Sequence, residues 1–505
     1  MSKKTSNRLF TNMLSYAVLQ IVNMLVGIFL PRLYLEVYGS EINGIVSTVN
    51  SFTTYFSYLE AGLGLTLIHS LFKPIADNDT GKMNNILSFS KKQYQKISYI
   101  YFALVVALSV TFPFLRVAED IGKIEFMLLV FVIGVYGAMD FYTMAKYRVL
   151  LTADRKEYVI SNAMILAQLL RFVFVFFLLN YEISITVVKI VPIFTLLVRS
   201  IILKIYVKRA YPEITFASNS MVKVPSTSSR WDALLLQISI STSVSLPTII
   251  ISQVLGFREA NVFAVYSLVI SAMIAIISAL SSGVSPMFGK SMAEGKNIRE
   301  FYDIYEYIVS FIITAVFSVT AVMIIPFIKL YTNVVDDINY IYPLYAVLIS
   351  VWAALYSYRI PLTAVINAAA IYKENRIHNF VNLALQILFG VIFTVIWGIP
   401  GILIVMIISA LHRNISMYIE NSKKVLHNKI SKCILIQIVM SAIIIFSFAI
   451  GYGIVWDTDM SFGIWICGAL FTSLITFALC VIVFSFVDYN SARNVFSYMK
   501  KKICK

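Results

Sequence analysis

The chain has 505 residues, of which 59% are hydrophobic and 13% are charged, and its formal net charge is +15 at pH 7. Soluble domains contain about 45–50% apolar and about 25% charged residues, so this composition excludes a soluble globular protein and indicates an integral membrane protein. The four cysteines show neither Cys-x-x-Cys spacing nor pairing across outer loops, so metal and disulfide roles have no support. The positive charge fits basic cytoplasmic loops better than nucleic-acid binding.

Hydropathy predicts an all-α integral membrane protein with about 14 transmembrane helices, each long enough to cross a bilayer with about 20 apolar residues. In chain order the predicted spans are residues 10–30, 42–72, 97–115, 124–146, 157–179, 184–205, 233–255, 260–289, 304–328, 339–370, 376–396, 399–419, 433–455 and 462–486. The basic start, MSKKTSNRLF, precedes an apolar run without a small-residue cleavage site, so we expect the first helix to be retained.

The distribution of basic residues predicts the orientation of these spans. With the N-terminus inside, 32 of the 41 Lys and Arg residues fall in cytoplasmic segments and five in outer loops. Because cytoplasmic loops carry the excess of Lys and Arg, both termini are predicted to be cytoplasmic. Every outer loop is short and no inner loop could hold a nucleotide-binding domain, so we do not expect an enzyme.

Two short patterns recur at nearly one offset and indicate a duplicated half. Glu41-Ile-Asn43 returns as Glu259-Ala-Asn261, and the Lys-Glu pair at residue 156 returns at residue 373. An even number of helices per half predicts parallel repeats. Four domains are predicted. Residues 1–205 form an N-terminal six-helix bundle and residues 206–232 a basic cytoplasmic linker. Residues 233–420 form a C-terminal six-helix bundle, and residues 421–505 form two further helices with a basic cytoplasmic tail.

Several stretches resemble the Wzx-type polysaccharide flippases of the multidrug/oligosaccharidyl-lipid/polysaccharide (MOP) exporter superfamily. They are LPRLYLEVYGSEINGIVS near the start, the Tyr58–Gly64 run YLEAGLG, and LLTADRKEY at Leu150–Tyr158. The resemblance implies two six-helix bundles in pseudo-twofold relation around a central cavity that opens alternately to the two sides. It also implies movement of undecaprenyl-pyrophosphate-linked repeat units across the bacterial inner membrane, for O-antigen, capsule or exopolysaccharide assembly. Implied partners are that lipid-linked glycan, membrane lipids, and the polysaccharide polymerase and chain-length machinery.

Five basic residues are candidates for binding the anionic headgroup. Arg171 and Arg359 lie deep in their helices, and an arginine fork suits phosphate oxygens. Pairing with a structural carboxylate is the alternative, Arg171 with Glu60 or Arg359 with Asp140. The other three candidates lie nearer the membrane surfaces, where long side chains can reach the headgroups: Arg32, Lys189 and Arg199.

Glu60 and Asp140 are the only carboxylates that we place within predicted spans. A carboxylate at the bilayer centre costs roughly 2.5–3.5 kcal/mol on insertion scales, so it should face protein or a wet cavity. Burial also raises a carboxylate pKa towards physiological pH. Glu60 and Asp140 are therefore candidates for a coupling proton or Na⁺; no other cofactor is expected.

Several alternatives stay open at this point. Within transport, they are a cation-coupled multidrug exporter and a peptidoglycan-precursor flippase. A membrane-embedded glycosyltransferase or polymerase would need an acidic pair on a large loop, and none is present. An interaction scaffold in a polysaccharide assembly complex is a further alternative.

Overall fold

The computed structural model describes residues 3–60, 63–181, 183–216, 229–281, 284–369, 371, 376–455, 461–488 and 492–493. Within these ranges all regular structure is helical, as the composition predicts. The first eight helices are α1 Lys3–Ser57, α2 Leu63–Ala76, α3 Thr80–Leu115, α4 Lys123–Thr143, α5 Ala145–Ala153, α6 Glu157–Leu179, α7 Ile185–Val188 and α8 Val191–Ala210. The other ten are α9 Ser229–Val254, α10 Phe257–Ser281, α11 Val284–Ala293, α12 Arg299–Thr332, α13 Pro343–Ser357, α14 Arg359–Ala369, α15 Arg376–Trp397, α16 Ile399–Asn421, α17 Ile430–Val455 and α18 Phe462–Val487.

The protein is a multi-pass membrane protein, and its helix count agrees with the predicted one. Twelve helical stretches among the described residues are long and apolar enough to cross a bilayer. The first of them, Phe10–Glu60, is two helices, because Gly39 has a non-helical backbone with φ 76°. That left-handed region is accessible to glycine at little cost. A shorter apolar helix, Thr242–Val254, occupies the seventh predicted span.

The predicted end of the first helix at residue 30 is wrong. The helix continues through Pro31 and ends only at Gly39. A proline inside a helix removes one backbone hydrogen bond, a loss that membrane helices tolerate where neighbouring groups satisfy the freed carbonyl.

Several predicted spans are broken helices. The second is interrupted by a 3₁₀ turn at Tyr58–Glu60, and the fourth at Met144, between α4 and α5. The tenth is interrupted at Tyr358, between α13 and α14. Breaks at membrane depth expose backbone polar groups, which is tolerated only where they are buried in protein or line a cavity. Charged side chains lie beside all three breaks.

Two compact units make up the chain. The first comprises Met1–Ser241 with Gly256–Asn261, and the second comprises Thr242–Leu255 with Val262–Lys505. The first unit contains two hydrophobic clusters, one built largely from α2, α3 and α5, the other from α1, α4 and α7. In the second unit, α12 is buried along most of its length. Most of the predicted linker, residues 217–228, lies outside the described residues, as does the second Lys-Glu pair.

The repeated Glu-x-Asn motifs contact each other inside the first unit. The Asn43 amide donates a hydrogen bond of 2.9 Å to the Asn261 side-chain oxygen, and both residues are buried. The adjacent helices approach closely, because a Cβ on Gly44 would lie 1.8 Å from the Phe257 carbonyl oxygen. The first turn of α10 therefore packs directly on α1, a contact that only glycine permits at residue 44.

Gly44→Ala is expected to destabilise the protein by about 3 kcal/mol or more. Overpacking usually costs about 1–3 kcal/mol, and here the obstacle is backbone, which cannot rotate away. Thermal unfolding of the purified protein in detergent measures the effect. Gly27→Ala is the matched control, since a Cβ there meets nothing within 4 Å and alanine favours the helix. Equal melting temperatures for wild type and Gly44→Ala would refute the close contact.

Candidate functional site

The first unit holds an ion-pair network around the break between α4 and α5. The Asp140 carboxylate pairs with Arg199 on α8 and, at 3.1 Å, with Arg148 on α5. Arg148 also lies 3.8 Å from Glu60, and the Tyr94 hydroxyl donates a hydrogen bond of 2.6 Å to Glu60 Oε1. Glu60 and Asp140 thus face protein, the expected environment for carboxylates within a membrane.

Sequence reasoning missed Arg148, because it falls two residues after the predicted end of its span. Burial lowers the pKa of its guanidinium, but the adjacent Asp140 and Glu60 carboxylates raise it more, so the net direction is upward. Arg148 therefore stays charged and ties the break in α4–α5 to the 3₁₀ turn that carries Glu60.

A small cavity in the same unit brings two of the predicted headgroup ligands together. Arg171 on α6 and Arg199 on α8 both line it, and its volume is about 40 Å³. The rest of its lining is Tyr136, Met164, Ala167, Gln168, Pro192, Thr195 and Leu196. Lys189 lies close enough to Arg171 for their charges to interact, and its ammonium sits 3.5 Å from the centroid of the Tyr34 ring.

The expectation that Lys189 and Arg199 reach the membrane surface is wrong. Lys189 is 6% exposed and Arg199 is 7% exposed. Arg199 is drawn inward by Asp140, and Lys189 is held by the face of an aromatic ring, an attractive position for a cation. Arg32, the remaining candidate, is partly buried within α1 instead of lying at a helix mouth.

The suggested pairings of Arg171 and Arg359 with structural carboxylates are not found. Across the described part of the chain, neither arginine forms an ion pair, and the buried Arg171 Nε has no hydrogen-bond partner. Asp140 and Glu60 are engaged by Arg199 and Arg148 instead. Arg171 and Arg359 are thus deep basic residues that combine unused donors with the lack of an ion-pair partner among the described residues.

The second unit contains two neighbouring buried arginines. Arg359 is the first residue of α14, is 9% exposed, and lies 4.8 Å from the centroid of the Tyr356 ring. Its Nε and Nη2 atoms have no hydrogen-bond partner among the described residues. Arg413 on α16 is 4% exposed and close enough to repel it electrostatically. Sequence reasoning missed Arg413, which lies near the inner end of its predicted span.

A buried carboxylate in the second unit corrects a further prediction. Glu306 lies within the predicted span 304–328, so Glu60 and Asp140 are not the only carboxylates in spans. It is fully buried and accepts hydrogen bonds from the hydroxyls of Tyr302 at 3.0 Å and Tyr358 at 2.7 Å. The Lys432 ammonium lies 3.3 Å from Glu306 and also pairs with two further carboxylates, Asp303 at 2.8 Å and Asp488 at 3.2 Å.

A sequence signal for this site exists, although it is weak. Tyr302 and Glu306 are four residues apart, so they share one helix face. Glu306 lies near the predicted inner end of its span, where a glutamate is expected to be hydrated. The packing of α12 against α13, α14, α17 and α18 buries it.

Similarity to solved structures identifies the fold of the chain. Neither a protein-family model nor a curated protein matches the sequence. Among solved structures, the chain is similar to the lipid II flippase MurJ in an inward closed conformation, with a TM-score of 0.64 and 13% identity over 93% of this chain and 98% of that one.

Two further structures are similar over most of their length. One is an inward-facing multidrug resistance MATE family transporter of the MOP superfamily, with a TM-score of 0.58 and 14% identity over 82% of this chain and 98% of that one. The other is a MOP superfamily transporter from Pyrococcus furiosus, with a TM-score of 0.55 and 13% identity over 85% of this chain and 95% of that one. At these identities the likeness establishes architecture: the chain has the fold of MOP superfamily transporters.

Proposed function

We propose that this protein is a flippase that carries undecaprenyl-pyrophosphate-linked oligosaccharide repeat units across the bacterial cell membrane by alternating access. The transported repeat units would serve O-antigen, capsule or exopolysaccharide assembly. Both termini would be cytoplasmic. The likeness of its fold to a lipid II flippase and to MOP superfamily transporters supports a transporter, and the buried arginines support an anionic cargo.

Arg359 is the observation that carries the proposal. A guanidinium stays protonated in proteins, and burying it without a counter-charge is costly. Two of its nitrogens have no partner within the described residues, and the neighbouring Arg413 increases the local positive charge. A diphosphate supplies several acceptor oxygens that the planar guanidinium fork binds in a bidentate manner. The site is thus suited to a phosphate-bearing headgroup.

Other predicted roles belong to the same proposal. Arg171 is proposed as a further headgroup contact in the first unit. Arg32, Lys189 and Arg199 are proposed contacts along the path of the headgroup. Coupling to Na⁺ or protons is proposed at Glu60 and Asp140, whose ion pairs could exchange partners during the cycle. The polysaccharide polymerase and chain-length machinery are proposed partners.

Two alternatives lead to different expectations. A peptidoglycan-precursor flippase is favoured by the likeness to a lipid II flippase, so cargo specificity needs a direct comparison of glycans. A multidrug exporter is favoured by the likeness to MATE transporters. Cationic drugs would be repelled by buried arginines such as Arg359, so drug export is the weaker alternative.

Arg359→Ala is expected to reduce flipping by about 10- to 100-fold, since hydrogen bonds to charged groups contribute about 1.5–3 kcal/mol. The assay uses sealed vesicles that contain a fluorescent undecaprenyl-pyrophosphate oligosaccharide in both leaflets. A membrane-impermeant quencher is added outside, without ATP, and with or without an imposed proton or Na⁺ gradient. Wild-type protein should make the protected inner fraction quenchable.

Two further variants sharpen this test. Arg359→Lys keeps the charge but loses the planar fork, so it should be intermediate. Arg209→Ala, at the exposed end of α8, is the matched control and should flip like wild type. If Arg359→Ala flips normally, or if folded wild type moves drugs and not the lipid-linked glycan in every gradient, the proposal fails.

A further inference from the structure

Around the break between α4 and α5 and the adjoining cavity, the first unit holds four cations and two carboxylates. A further buried carboxylate of this unit, Glu41, accepts hydrogen bonds from the backbone of Glu119 and Asp120 instead. Asp140 is shared by Arg199 and Arg148, and Glu60 faces Arg148. The two remaining cations, Arg171 and Lys189, form no ion pair with any described carboxylate. They lie close enough together for their charges to interact.

This imbalance is costly unless a further anion compensates it. Arg171 cannot lose its proton, and its Nε is buried without a partner. Lys189 is 6% exposed, and the Tyr34 ring gives it only a cation–π contact. Burying uncompensated charge costs several kcal/mol per ion even after relaxation. A counter-anion between α6 and α8 would remove that cost.

The cavity between α6 and α8 has the size and lining for such an anion. Its volume of about 40 Å³ exceeds the roughly 10–15 Å³ that one water requires, so it accommodates a monatomic ion with little else. A sugar diphosphate is far larger. Arg171 and Arg199 contribute guanidinium donors to its wall. Gln168 and Thr195 also line it, but the Gln168 amide donates to Asn23 and the Thr195 hydroxyl donates to the Pro192 carbonyl, so the arginines are the donors for an anion.

We propose that this cavity is a binding site for one small monovalent inorganic anion of the chloride class, held between Arg171 and Arg199. The anion compensates the positive charge that Asp140 and Glu60 leave unbalanced. This assignment replaces the headgroup role proposed above for Arg171 and Arg199, and headgroup binding then rests on Arg359.

Direct binding tests the proposal on the purified full-length protein in a neutral detergent. Radiolabelled chloride should bind saturably, at about one ion per chain, in a gluconate buffer of constant sodium concentration. Arg171→Gln should reduce that binding at least 10-fold, and Arg209→Gln, outside the cavity, should leave it unchanged. No saturable chloride binding by wild type, or undiminished binding by Arg171→Gln, would overturn the proposal.

Thermal unfolding separates an anion site from a purely structural role for Arg171. Replacing gluconate by chloride should raise the melting temperature of wild type by about 2–5 °C and leave Arg171→Gln unchanged, since a ligand stabilises only the state that binds it. In gluconate the variant should be at least as stable as wild type, because it removes an uncompensated charge. A variant that is less stable in both salts would refute the proposal.

Diphosphate distinguishes the headgroup from a free small anion as the ligand. Inorganic diphosphate at matched ionic strength should fail to displace labelled chloride. Displacement of labelled chloride from wild-type protein by diphosphate would assign the cavity to the headgroup and overturn the small-anion assignment. Neither result bears on flipping through Arg359, so the two proposals can fail separately.

Discussion

Asp140→Ala is expected to destabilise the protein by about 3–5 kcal/mol, the usual cost of removing one partner of a buried ion pair. The change leaves Arg199, whose side chain is 8% exposed, without its carboxylate, and it leaves Arg148 with only the more distant Glu60. The expected result is a marked loss of folded protein, measured as the free energy of unfolding in detergent.

Asp120→Ala is the control for Asp140→Ala. Asp120 pairs with Arg258 at 3.3 Å, and its side chain is 41% exposed. Exposed ion pairs contribute about 0–1 kcal/mol, so this variant should unfold almost like wild type. Comparable stability of Asp140→Ala and wild type would mean that another group compensates Arg199, contrary to the network described above.

Lys432→Met is expected to destabilise the second unit by a similar amount, about 3–5 kcal/mol. Lys432 is the shared cation for Glu306, Asp303 and Asp488. Without it, three carboxylates remain close together, and the fully buried Glu306 keeps only two tyrosine donors. A chemical or thermal unfolding series on purified variants gives the change.

A double-mutant cycle identifies Glu306 as the source of this cost. Glu306→Gln removes the buried charge while keeping a hydrogen-bonding side chain, so it should restore part of the stability lost in Lys432→Met. Lys423→Met is the matched control, because Lys423 is 68% exposed and lies 3.7 Å from Glu420. Strictly additive effects of Glu306→Gln and Lys432→Met would contradict a direct interaction.

The ion-pair network around Asp140 and the one around Glu306 have the same structural role, because each lies at a helix break. In the first unit, Arg148 and Asp140 flank the break between α4 and α5. In the second unit, Tyr358 lies at the break between α13 and α14 and donates to Glu306. Both networks therefore hold broken helices in place, next to arginines with unused donors.

Hydropathy alone was sufficient for the membrane architecture. Long apolar segments must satisfy their backbone hydrogen bonds internally, and this physical constraint predicts helices without knowledge of their packing. The repeated Glu-x-Asn motif also pointed to a duplicated element, although not to the contact between Asn43 and Asn261, 218 residues apart. Local helix breaks escaped prediction, because a 3₁₀ turn such as Tyr58–Glu60 barely changes the hydropathy of a span.

The tertiary structure decided which charges are paired. Asp140 and Arg199 are 59 residues apart in the sequence, and Glu60 and Arg148 are further apart still, so only packing brings each pair together. The same packing buries Lys189, which was predicted to reach the membrane surface, and Glu306, which the sequence analysis did not single out. Composition determines that this chain enters the membrane as helices. The packing of those helices then determines which arginines are neutralised by carboxylates and which remain available to bind an anion.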